Sequence, residues 1–168
     1  MPRAATQADF FEHLTSQCVP GVEDPVERIR VYLSGAKEDL DSAAADLVAY
    51  RSRAATSDIE DAAMLLGEAI AFACRFRVPP GEGHHWNAIR VLRLYVQSHV
   101  PALSRQAAQL DLLRTYRHRV KYDGAEAPLA QTKLYYDVVS GIYQAIKDLP
   151  LEILGARRAG EPGNPDGT

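Results

Sequence analysis

Val26, Leu33, Leu40 and Leu47 return every seven residues, and Ile29, Ala36, Ala43 and Tyr50 occupy the positions three further on. A seam with that period is buried when one long helix lies against another at a shallow crossing angle. Its alanines allow the two backbones to approach closely. Asp24 followed by Pro25 reads as an N-cap and a proline at the first helical position, so the helix starts there. The fold class is therefore all-α, and the rest of the chain repeats the theme.

Ser57 to Glu60 has the form of a capping box opening a second helix, with Ile59, Ala62, Ala63, Leu66, Ala69, Ile70, Ala73 and Cys74 on its buried face. Pro79-Pro80-Gly81 ends it. A third helix carries Ala88, Val91, Leu92 and Tyr95 until Pro101 breaks the pattern. Leu103, Ala107, Leu110, Leu113, Arg117 and Val120 mark one face of a fourth, which Asp123-Gly124 can terminate. Pro128 opens a fifth, striped by Thr132, Tyr135, Val139, Ile142, Ile146 and Leu149 and stopped or kinked at Pro150. No strand-like alternation or internal repeat is visible.

The expected architecture is an up-and-down bundle of four to five helices over residues 25–154. A lead-in, 1–24, has room for one short helix around Phe10, Phe11 and Leu14. The Gly- and Pro-rich tail, 155–168, reads as disordered. With 46% hydrophobic and 24% charged residues in 168, one sizeable core is expected. No stretch reaches the ~18–20 apolar residues of a membrane span, and the N-terminus lacks the apolar core of a signal peptide. A cytoplasmic location follows as the expectation. Cys18 and Cys74 match no metal or redox spacing.

Charge is unevenly spread. Between Glu23 and Glu68 there are 11 acids and 5 bases, and between His84 and Lys121 there are 7 bases and one acid, Asp111. Such asymmetry suits a polyanionic partner or the meeting of two protomers, while solvated helix faces explain it equally simply. The basic stretch peaks from Arg114 to Asp123. Arg117 falls on or beside the buried stripe, where a charge needs a partner or a wet cleft. Arg114, His118 and Lys121 lie three or four residues away, and Tyr122 follows His118 by four.

That set suits RNA chemistry. Arg117 is placed to clamp a phosphate bidentately and to stabilise charge on a phosphorane. His118 can move a proton to or from a ribose hydroxyl, and Tyr122 can orient the phosphate. Arg114, Arg119 and Lys121 would attract the backbone. No cofactor or metal is needed. The bland alternative pairs Arg117 with an acid of the first helix, Glu38 or Asp39, and leaves His118 and Arg119 facing water. His84-His85 has no acid or cysteine at ligand spacing, so helix capping and loop packing near Trp86 are favoured over a metal site. Trp86 reads as a core lid. Tyr135, Tyr136 and Tyr143 read as core or dimer contacts.

Four segments in order resemble the HEPN superfamily of helical domains. Ala36–Leu47 looks like its first long helix, Asp61–Arg75 like its alanine-rich second, Gly81–Ile89 like the turn opening its third, and Arg117–Asp123 like the signature ending its fourth. The likeness spans about residues 28–150. It implies a homodimer with a composite cleft, and for many members a metal-independent endoribonuclease of toxin–antitoxin or other bacterial defence systems. A cognate antitoxin or a nucleotidyltransferase-type protein would be the partner. Arg117 matches the motif arginine, His118 the polar residue after it, and Tyr122 stands at the histidine position in an Arg-x-x-x-x-Tyr variant. Other members are non-catalytic interaction or regulatory modules, and that alternative stays open.

Overall fold

The computed structural model describes residues 3–21 and 25–148. Asp24, Leu149, Pro150 and the 155–168 tail lie outside them. The described chain is an all-α bundle made of α1 (Gln7–Gln17), α2 (Pro25–Val48), α3 (Ser52–Ala73), α4 (His84–His99), α5 (Ser104–Ala107), α6 (Leu110–Tyr122) and α7 (Leu129–Ile146), with one 3-10 turn, Pro101–Leu103. A two-residue antiparallel pairing, Val19 with Arg77 and Pro20 with Phe76, ties the end of α1 to the end of α3. Among the described residues, no helix is long and apolar enough to cross a membrane.

The lead-in carries a docked helix. A capping box opens α1, with Asp9 Oδ2 accepting from Thr6 N at 2.6 Å and Thr6 Oγ1 from Asp9 N at 3.3 Å. Phe10 and Leu14 are wholly buried, and Phe10 packs edge-on against Tyr95 of α4 with ring centroids 5.6 Å apart.

On α2 the heptad seam is carried by Ile29, Ala36, Leu40 and Ala43, while Val26, Leu33 and Leu47 are half-buried. Tyr50 leaves the seam. It adopts a left-handed conformation (φ 58°) in the tight turn to α3 and is exposed. Arg51 closes that turn by donating from Nη2 and Nε to Asp46 Oδ1 at 2.5 and 2.8 Å.

This early turn moves the start of the second helix. α3 begins at Ser52, so Ser57 and Glu60 are interior helix residues and not the expected capping box. Their side chains are freed to face a neighbour. α3 is the hub, packed against α2, α4, α6 and α7. Its small residues permit this. A Cβ on Gly67 would sit 1.9 Å from the Ala88 carbonyl oxygen, so the α3–α4 crossing requires glycine there.

The expected fourth helix is divided. Pro101 has no N–H to extend α4, and the chain turns through the 3-10 segment and α5 before α6 starts at Leu110. α6 buries Leu110, Leu113 and Val120. It ends as expected, with Gly124 left-handed (φ 68°) and both Asp123 N and Ala125 N donating to Arg119 O at 3.1 Å. On α7, Thr132, Tyr135, Val138, Val139, Ile142 and Ile146 are buried. Tyr136 and Tyr143 are half-buried against the core. Cys18 and Cys74 are buried thiols, and burial, helped by Glu68, pushes the Cys18 thiol up to about 11.

A candidate phosphate-binding cleft

The N-terminus of α4, the middle of α3 and the C-terminal half of α6 enclose a cleft of about 630 Å³. Arg114, Arg117, His118, Arg119 and Tyr122 line it from α6, His84 and His85 from α4, and Glu60 from α3. Lys121 does not line it; its ammonium lies 5.2 Å from the Tyr122 ring centre, outside the rim.

Arg117 sits at the floor. It is largely buried, and the charge is matched by α3: Nη1 is 2.5 Å from Glu60 Oε2, Nη2 is 3.5 Å from Asp61 Oδ1 and donates to Ser57 Oγ at 3.0 Å. The partner is therefore Glu60 with Asp61, not Glu38 or Asp39 of α2. Ser57, Glu60 and Asp61 lie at i, i+3 and i+4 within α3 and so share the face turned toward α6. Arg117 Nε is buried with no acceptor among the described residues, so pairing is one-sided. Burial raises the Glu60 carboxyl pKa, an effect that Arg117 opposes.

The other cations hold the walls. The Arg114 guanidinium lies 5.2 Å from the centre of the Trp86 ring, and Arg90 lies 5.9 Å from the same ring. Cation–π contact thus orients Arg114 beside the cleft. Trp86 is half-buried between them. His118 and Arg119 are exposed at the rim, and the His118 and Tyr122 rings stack obliquely at 4.9 Å. Tyr122 itself is well exposed.

His84-His85 has no acid at ligand spacing along the chain, but α3 brings a carboxylate to each of them. His84 is fully engaged, with Nε2 2.6 Å from buried Glu68 Oε1 and Nδ1 2.9 Å from Pro79 O. Burial raises the Glu68 carboxyl pKa and His84 opposes that rise. His85 is open by comparison. Its Nδ1 stands 4.0 Å from Glu60 Oε1, and burial lowers its pKa, opposed by Asp61 and reinforced by Arg117, His84 and Arg114. An acidic face adjoins the cleft behind Asp61. There Asp39 is pushed up to about 6 by burial and by Asp61, Asp58 and Glu38.

Sequence spacing alone picked out the α6 residues. It missed Glu60, Asp61, Ser57 and His85, whose only early signal was two polar side chains, Ser57 and Glu60, at positions that helical periodicity places near the buried face of α3. No family model, curated protein or solved structure matches this chain.

Proposed function

We propose that this protein is an HEPN-like homodimer that binds RNA in the cleft and cleaves it by a metal-independent route. One observation carries the reading. Arg117, His118 and Tyr122, chosen from sequence as the cleaving set, line a single cleft of about 630 Å³ with Arg114 and Arg119, two of the three residues chosen to bind the RNA backbone; Lys121, the third, does not.

In that reading Arg114, half-buried in the wall, and Arg119, exposed at the rim, hold a phosphodiester, since guanidiniums pair with phosphate through two parallel N–H donors. Arg117 sets positive charge at the floor, where low dielectric strengthens its action on a developing phosphorane. His118, exposed beside it, takes the 2′-hydroxyl proton and returns it to the departing 5′-oxygen, leaving a 2′,3′-cyclic phosphate and a 5′-hydroxyl. Tyr122 orients the phosphate by hydrogen bond. The exposed α6 residues Leu112, Thr115, Arg119 and Tyr122 fall on one face, the face that a second copy would cover to complete the site. The physiological setting proposed is a toxin–antitoxin or defence system, in the cytoplasm, with a cognate antitoxin or nucleotidyltransferase-type partner.

A non-catalytic interaction module is the second reading, favoured by one fact: the Arg117 guanidinium is already held by Glu60, Asp61 and Ser57. The two separate cleanly. Purified wild type incubated with RNA and EDTA should give cyclic-phosphate ends, and expression should arrest growth. His118→Ala and Arg117→Lys, each checked for folding, should abolish both. Intact RNA with wild type and variants alike removes the nuclease reading. A monomer at micromolar concentration removes the composite dimer cleft.

A further inference from the structure

The packing of α3 on α4 brings together three donors at the edge of the cleft: Glu60 and Asp61, adjacent on α3, and His85 at the start of α4, 24 residues after Asp61. One ligand atom from each lies within 4.8 Å of the others. We propose that Glu60, Asp61 and His85 form a binding site for one divalent cation of the zinc class, beside Arg117.

Three features of the geometry point there. First, the 4.0 Å between His85 Nδ1 and Glu60 Oε1 is too long for a hydrogen bond. It exceeds the roughly 3.3 Å that two ~2.0–2.1 Å zinc–ligand bonds subtend in a tetrahedral site, so the two side chains would close by a few tenths of an ångström around an ion. Second, Glu60 divides its oxygens. Oε2 is taken by Arg117 and Oε1 faces His85. The carboxylate is almost wholly buried, and burying an acid calls for full charge compensation. Arg117 supplies one positive charge for the two acids it spans, Glu60 and Asp61. Third, His85 is half-exposed on the cleft side, which gives an ion and its remaining water ligands a way in.

One imidazole with two carboxylates matches a borderline ion such as Zn²⁺, and not the all-oxygen shell of Mg²⁺ or Ca²⁺. His84 and Glu68 are excluded from the set because they are bonded to each other at 2.6 Å. Arg117 is the competitor. A bound ion and the guanidinium both draw on Glu60 and Asp61, so each weakens the other's hold. The ion thereby links the site to the freedom of Arg117, without entering the cleavage chemistry.

Titration calorimetry with ZnCl₂, in the absence of RNA, tests this independently of any nuclease activity. Wild type should take up one ion per chain with a dissociation constant in the micromolar range. His85→Ala should bind at least tenfold more weakly, and His118→Ala should bind like wild type. Arg117→Gln should bind more tightly, because the competing charge is gone. No uptake by wild type up to 1 mM, or equal affinity in His85→Ala and wild type, overturns the site. So does weaker binding by a folded Arg117→Gln.

Discussion

Two neighbouring histidines at the start of α4 meet two buried glutamates on α3, with opposite results. His84 and Glu68 close to 2.6 Å, and Pro79 O takes the second ring nitrogen. That pair is finished: every polar atom of the imidazole has a partner, and nothing remains for a ligand. His85 and Glu60 stand 4.0 Å apart, and Glu60 is paired instead with Arg117 from α6. One pair fixes the packing of α3 on α4. The other is left open at the floor of a cleft, with its charge shared among three helices. Residue type does not distinguish them; the presence of a third helix does.

The largest effect should come from removing the shared cation. Arg117→Ala leaves Glu60 buried without its counter-charge, and breaking such a pair costs about 3–5 kcal/mol. Chemical denaturation should show that loss, and Arg117→Lys should recover part of it. An unchanged midpoint would mean that Glu60 is solvated and the floor is not buried.

His84→Ala comes next. It strands Glu68 in the core, where an unpaired acid costs about 3 kcal/mol at pH 7. The loss should shrink in acid as Glu68 takes a proton. If His84→Ala and His85→Ala cost the same, the contrast between closed and open pairs is wrong.

Asp39 offers a smaller effect of opposite sign. Its folded pKa of about 6 stands above the ordinary value of 3.8. The folded chain therefore binds this proton more tightly than the unfolded chain, and Asp39 erodes stability as pH rises from about 4 through 6. Asp39→Asn should stabilise the protein at pH 7 by roughly 0.5–1 kcal/mol, a figure reduced for the screening of a partly exposed group. The gain should vanish below pH 4, and a gain that persists there would remove the electrostatic cause. His85→Ala should be the mildest, below about 0.5 kcal/mol, because no bond of the fold is lost.

Periodicity made most of the fold legible. The seams of α2, α4 and α7 and the glycine stop of α6 are local signals, set by spacing and by the left-handed preference of Gly124. The break between α4 and α6 was only half visible. Pro101 announces an end, but the turn from Gln106 to Gln109, where Gln109 N donates to Gln106 O at 3.0 Å, has no proline or glycine to mark it. The start of α3 was misjudged because Ser57 and Glu60 mimic a cap, while the true turn is set by the Arg51–Asp46 pair.

The candidate site divides in the same way. Its α6 residues share one helix, so their proximity follows from 3.6 residues per turn. Glu60, Asp61 and His85 reach Arg117 only through the packing of α3 against α4 and α6. That depends on tertiary contacts such as Gly67 against Ala88, which spacing along the chain does not encode.

In the proposed function the open region around Arg117 receives an RNA phosphate. Fluorescence anisotropy with a labelled RNA oligonucleotide, repeated across a salt series, decides whether it does. Arg114→Ala and Arg119→Ala are the variants to compare, since they leave the Arg117–Glu60 pair in place. Each should weaken binding and lower the slope of log K against log salt by about one phosphate contact. Slopes and affinities equal to wild type in both variants would contradict the claim.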